Sequence, residues 1–179
     1  RINATGAKYL VTSCPSCFHM WKHTYGEHNL KDKMNFEVMH SVQFVYKLAK
    51  DNKIKLNPIQ KTVTYHDPCD LGRSSGVYSE PRELIKMIPG IKFVELANNK
   101  QRTTCCGGGG NVEASDPKLS SKIAGMKAEE IKETEADIIV TSCQQCVRTI
   151  QQICRKKKIK IKVRDLIQLV LESMQAENE

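Results

Sequence analysis

Long apolar runs are missing from this chain of 179 residues. Without a stretch of about 18 apolar residues, nothing in it reads as a membrane span. Aromatic residues make up only 6% of the chain, with a single tryptophan, and none interleaves with the largest basic run. That removes the stacking surface expected of a nucleic-acid reader, so no nucleic-acid partner is expected. No ferredoxin-type Cys-x-x-Cys-x-x-Cys run, flavin fingerprint or haem-ligand pattern occurs, so any electrons must come from elsewhere. No signal-peptide pattern opens the chain, and its eight cysteines fall well short of a disulfide-stapled miniprotein. The expectation is a reducing, cytoplasmic compartment in which cysteines bind metal rather than pair.

What the chain does contain is cysteine in an ordered series. Cys69 closes the run His66-Asp67-Pro68-Cys69, Cys105 and Cys106 lead four glycines, and Cys143-Gln-Gln-Cys146 follows an apolar run. Adjacent cysteines make a strained disulfide but suit a polynuclear centre, which needs many soft ligands in little space. Glycines 107 to 110 carry no Cβ, so their backbone can approach a ligand closely and aim N–H groups at it. Cys69, Cys105, Cys106, Cys143 and Cys146 are therefore the candidate metal ligands of a cofactor site. Gly107, Gly108, Gly109 and His66 are candidate cofactor contacts. The net charge of +8 is a weaker clue, because Arg155-Lys156-Lys157-Lys158 falls where a helix should end and cations favour that dipole end.

Strand and helix patterns alternate along the chain. Strands are expected at 9–12, 36–39, 62–65, 91–96, 138–141 and 159–163. Helices are expected from Pro15, from a Ser41 cap, from Pro81 to Pro89-Gly90, from an Asp116 cap to about Thr134, from Gln144 to about Lys156, and from an Asp165 cap. Lys31 to Asn35 reads as a loop. Alternation of this kind predicts an α/β fold, with parallel sheets covered by helices on both faces. Ligands bind such sheets beyond the carboxyl ends of the strands, where Cys14, Cys69 and Cys143 all fall.

The chain also repeats itself. Tyr9-Leu-Val-Thr-Ser-Cys-Pro-Ser-Cys17 parallels Ile138-Ile-Val-Thr-Ser-Cys-Gln-Gln-Cys146, and strand and helix follow each. Two pseudo-symmetric Rossmann-like units are expected, the first incomplete. Residues 1–55 would be the C-terminal part of one module and 56–179 a complete second, joined through the lysine-rich stretch 51–60. The chain opens on Arg1, and with the repeat this suggests a piece of a longer polypeptide.

The series Cys69, Cys105-Cys106-Gly107, Cys143-x-x-Cys146 resembles the CCG, or cysteine-rich, domain of heterodisulfide reductase catalytic subunits. The domain also occurs in iron–sulfur subunits of glycolate and lactate oxidation and of sulfate-reducer membrane complexes. The likeness runs over residues 61–175 as a full module and 7–50 as a partial one. His66-Asp67-Pro68-Cys69 and Leu71-Gly72-Arg73 share in it, while Asp70 departs where many relatives carry histidine.

The resemblance implies a noncubane [4Fe–4S] cluster on the five cysteines and an oxidoreductase subunit. It would relay electrons to a small-molecule disulfide such as CoM–S–S–CoB, or cleave it reductively. It implies partner redox subunits, either iron–sulfur or flavin proteins or a membrane cytochrome b, through which the protein would be peripheral to a membrane. The rival is a structural Cys₄ zinc site in a non-catalytic basic module that docks on a partner protein or nucleic acid. An isolated fragment can equally hold zinc or no metal. Cys14 and Cys17, lacking module partners, are read as free thiols, a redox disulfide or an adventitious metal site. Cys154, Phe18 and Trp21 are read as core, and His19, His23, His28 and His40 show no partner pattern.

Overall fold

The computed structural model describes residues 1–25 and 31–176; His28 lies outside them. β1 (Tyr9–Thr12) and β2 (Glu37–His40) pair in parallel, Tyr9 opposite Glu37 and Thr12 opposite His40. A second, all-parallel sheet has the order β4-β3-β5-β6. Its strands are β3 (Lys61–His66), β4 (Ile91–Glu95), β5 (Ile138–Thr141) and β6 (Lys162–Asp165). The helices are α1 (Pro15–His19), α2 (Ser41–Lys50), α3 (Ser79–Lys86), α4 (Val112–Ser115), α5 (Pro117–Lys132), α6 (Gln144–Lys156) and α7 (Leu166–Gln175).

Both faces of the four-stranded sheet are covered: β5 is buried along its whole length and β3 from Val63 onward, although the second face of β3 carries Thr64 and His66. Val63 and Tyr65 of β3, with Ile138 and Val140 of β5, pack against α2, α3 and α7 through Val42, Leu84, Ile85, Leu166 and Leu169. Ile139 and Val163 face the other way, onto Ala124, Ala128 and Ile131 of α5 and Ile150 and Ile153 of α6. A third cluster joins Phe18 and Val38 to Leu71 and Val77, across the two halves of the chain.

The repeat is visible in three dimensions. β1-α1-β2-α2 and β5-α6-β6-α7 share strand order and register, with Thr12 opposite His40 and Thr141 opposite Asp165. Both closing helices begin with a reciprocal cap. His40 Nδ1 accepts from Val42 N–H while the Gln43 side chain accepts from His40 N–H. Asp165 and Gln168 do the same at α7.

Several expected boundaries move. His40, not Ser41, caps α2, because its ring nitrogen reaches a free helix N–H from an extended backbone. α3 starts at Ser79, two residues before Pro81. The last strand is 162–165 rather than 159–163. Lys31–Lys33 forms a 3₁₀ turn inside the expected loop. The helix from Pro15 loosens into an i→i+5 turn at Met20–Thr24. α5 keeps its Asp116 cap, yet of the apolar residues that mark its period only Ile131 is fully buried; Leu119 and Met126 are exposed. Among the described residues no helix is long and apolar enough to cross a membrane.

Candidate metal centre

Three cysteine-bearing loops converge at the carboxyl edge of the four-stranded sheet. β3 ends at His66, and the turn that follows carries Asp67, Pro68 and Cys69. The connection from β4 delivers Cys105 and Cys106. β5 ends at Thr141, after which Cys143 occupies the position before the first turn of α6 and Cys146 lies within that turn. All five sulfurs line one cavity of about 870 Å³, together with His66, Gly108, Gly109, Gly110, Asp70, Arg73, Gln145 and Arg148. Gly107 does not line it, and neither does Cys14 or Cys17.

Burial grades the thiols. Cys106 and Cys146 are buried, Cys69 and Cys143 half-buried, and Cys105 exposed. The ligand atoms of His66, Cys106 and Cys146 all lie within 4.8 Å of one another. Cys106 is the negative focus: hydrogen bonds from Cys105, then Cys146, then His66 and the Gly108 N–H, hold its thiol well below the ordinary range despite burial. The donors shift the other way, Cys105 and Cys146 being raised first by those same bonds to Cys106. Cys143 is lowered to about 7, chiefly by a bond from Cys146 and then by the Cys146 and Gln145 N–H groups at the start of α6. Burial, and then the Asp70 carboxylate, push Cys69 up.

The glycines have two separate reasons to be there. Gly107 has φ +91, and a Cβ on it would stand 2.7 Å from the Ser120 carbonyl oxygen. A side chain at Gly108 would collide with Thr149 and Gln145 of α6. These two permit close packing against α5 and α6, while Gly109 and Gly110 leave open space. The helix directly after the glycines, α4, is only four residues long and adds little dipole.

Sequence reasoning missed the groups that hold these loops. Asp67 takes a bidentate grip from Arg82, 2.8 Å at each oxygen, and Arg82 also bonds Glu95 at 2.7 Å and 3.0 Å. Lys127 and Glu130 form a second buried pair. Arg82 stands 15 residues from Asp67 and 13 from Glu95, too far for any local pattern, while the i,i+3 spacing of Lys127 and Glu130 carries no sign of burial. Asp70 accepts a hydrogen bond from Ser16, and Gln144 Nε2 donates to the Ser13 carbonyl at 2.9 Å. The first Cys-x-x-Cys turn therefore abuts the site. There the Cys14 Sγ accepts Cys17 N–H at 3.4 Å, and the two cysteines are not joined in a disulfide.

The donor set fits a polynuclear cluster. Five thiols share one cavity, and His66 adds a buried ring whose Nδ1 has no hydrogen-bond partner among the described residues. A single structural zinc ion needs four ligands, fewer than the cavity offers.

Residues 63–151 match the family described as CCG, cysteine-rich domain. One polypeptide of the dihydromethanophenazine:CoB–CoM heterodisulfide reductase of Methanosarcina barkeri is 40% identical over 94% of this chain and 41% of its own length. One polypeptide of the CoM/CoB fumarate reductase of Methanothermobacter marburgensis is 32% identical over 92% of this chain and 32% of its own length. An uncharacterized iron–sulfur protein of Methanococcus maripaludis is 36% identical over 80% of this chain and 27% of its own. The chain spans less than half the length of each of these relatives.

Proposed function

With residues 63–151 belonging to the CCG cysteine-rich domain family, we propose that this chain is the cluster-bearing part of a heterodisulfide reductase-type oxidoreductase. Cys69, Cys105, Cys106, Cys143 and Cys146 would hold a noncubane [4Fe–4S] cluster. When bound, the group supplies one-electron steps from partner redox subunits to the two-electron reduction of a small-molecule disulfide, whose S–S bond is replaced by two S–H bonds as two protons are taken up. The observation that carries this reading is the convergence of five thiols on one cavity.

The chain's own residues provide the setting. Four donors favour the thiolate of the buried Cys106, which suits a soft, multiply charged cation assembly. The Cys146 thiol and the N–H groups at the start of α6 bring the Cys143 thiol down to about 7, which favours the thiolate that a metal needs. Gly109 and Gly110 leave one wall open to a small molecule, and Arg73 and Arg148 stand at the cavity beside Asp70 and Glu113. Residues 1–55 and 56–179 are proposed as the tail of one module and the whole of a second, sharing one core. Cys14 and Cys17 belong to the first.

The close grouping of His66, Cys106 and Cys146 favours a second reading, a single zinc ion in a structural site. Anaerobic reconstitution with iron and sulfide separates the two. Metal analysis should find about four irons per chain, with a paramagnetic oxidised state whose EPR signal changes when thiol is added. Stoichiometric zinc that iron and sulfide cannot displace would end the iron reading.

A further inference from the structure

Helix α5 buries Lys127 completely while leaving Met126 65% exposed. Apolar burial alone would turn the helix the other way. What Lys127 reaches is Glu130, Nζ to Oε2 2.6 Å. The same carboxylate accepts the Asn98 N–H at 2.6 Å and the Thr104 hydroxyl at 2.7 Å. Asp67, 1% exposed, plays the matching part from the other side. Arg82 grips it, and its Oδ2 accepts the Lys100 N–H at 2.8 Å.

The strap from residue 97 to 104 is thus fastened by two buried carboxylates from different elements, each held from behind by its own buried cation. Lys100 has φ +52, a left-handed conformation uncommon for a residue with a Cβ. The Asp67 bond falls on that residue's own N–H. Cys105 and Cys106 follow directly, and Asp67 itself lies two residues before Cys69. One clamp therefore ties two cysteine loops together.

We propose that Asp67 and Glu130 are positioning residues for the thiol site: they set the strap, and with it Cys105 and Cys106, in the liganding arrangement before any metal arrives. Replacing a buried ion pair with apolar residues often leaves stability unchanged or raised. Two such pairs on one strap are therefore explained by the geometry they impose. The inference rests on the metal-centre reading only in taking the thiols as ligands, whichever metal they hold. Groups that orient metal ligands from behind typically account for 10- to 100-fold of metal affinity.

The test titrates Co²⁺ into the reduced, metal-free full chain under anaerobic conditions and follows the thiolate-to-cobalt absorption. Glu130→Gln and Asp67→Asn should each bind Co²⁺ at least about 10-fold more weakly while keeping the parent's far-UV circular dichroism. Thr104→Val removes one strap bond, leaves the Lys127–Glu130 pair whole, and should shift affinity the same way by a smaller factor. If either carboxylate variant fails to fold, Thr104→Val and the charge-conserving Arg82→Lys decide the matter. Parent-like affinity in the folded variants overturns the proposal. Iron–sulfide reconstitution of the parent is read separately: no cluster there, with the cobalt pattern intact, removes the iron reading and leaves the positioning role standing.

Discussion

Gly107 and Gly109 stand two residues apart and owe their identity to different constraints. At Gly107 a Cβ meets the backbone of α5 at 2.7 Å and 2.9 Å, and φ is +91. Neither the helix backbone nor that dihedral yields easily. Gly107→Ala should destabilise the metal-free chain by on the order of 3 kcal/mol. Gly109→Ala has open space and an ordinary φ, and should fall within about 0.5 kcal/mol of the parent. Urea unfolding of the two variants checks the contrast, and equal losses would show that Gly107 is not a packing glycine. The glycine run was legible as a place of close approach, but not which glycine approaches what. Their neighbours, Ser120, Ala124, Gln145 and Thr149, come from helices that a linear reading cannot bring alongside. The convergence of the cysteines was legible because residues that follow the ends of parallel strands share a rim. Asp67 and Arg82 were not, since charges 15 residues apart carry no local pattern, and the i,i+3 spacing of Lys127 and Glu130 reads as an ordinary exposed helix pair rather than a buried one.

At the level of elements, caps and periodicity located most strands and helices within a few residues. The errors cluster where local signal is weak. α5 buries alanines, a serine and a lysine, so its apolar residues misreport the inner face. His40 offered no cap signal of the usual Ser, Thr, Asp or Asn kind, although its counterpart in the repeat is Asp165. That substitution has a measurable consequence. Burial lowers the His40 ring from 6.5 to about 4, against a raising contribution from the Ser13 backbone. The unfolded chain then takes up this proton first, so stability falls as pH drops from about 6.5 to about 4. The loss for this group is about 3 kcal/mol across that window. His40→Asn keeps a capping side chain without the titration and should flatten that part of the pH–stability curve of the metal-free chain. A parallel curve for parent and variant would refute the assignment.

For the whole molecule, the two repeat units are continuous in their packing. Val42 and Ala49 of α2 lie in one core with β3, α3 and α7, and Phe18 packs with Leu71 and Val77. Asn57 ties the connecting stretch to α7 through Nδ2–O bonds of 2.7 Å and 3.4 Å and the Ser173 hydroxyl at 2.8 Å. The chain should unfold in one transition. Its lone tryptophan, Trp21, reports on the first unit, and its fluorescence should change at the same denaturant concentration as the far-UV signal. An earlier tryptophan transition would mean that the units melt separately.

Helix α6 begins at the thiols and ends at Arg155 and Lys156, with Lys157 and Lys158 next in the chain. Thirteen residues at 1.5 Å each set these poles roughly 20 Å apart. Salt screens charge over about 8 Å under physiological conditions. Through solvent the cationic tip is largely screened from the sulfur end, so anions that gather on the lysines act on the ionisation of the cysteines weakly.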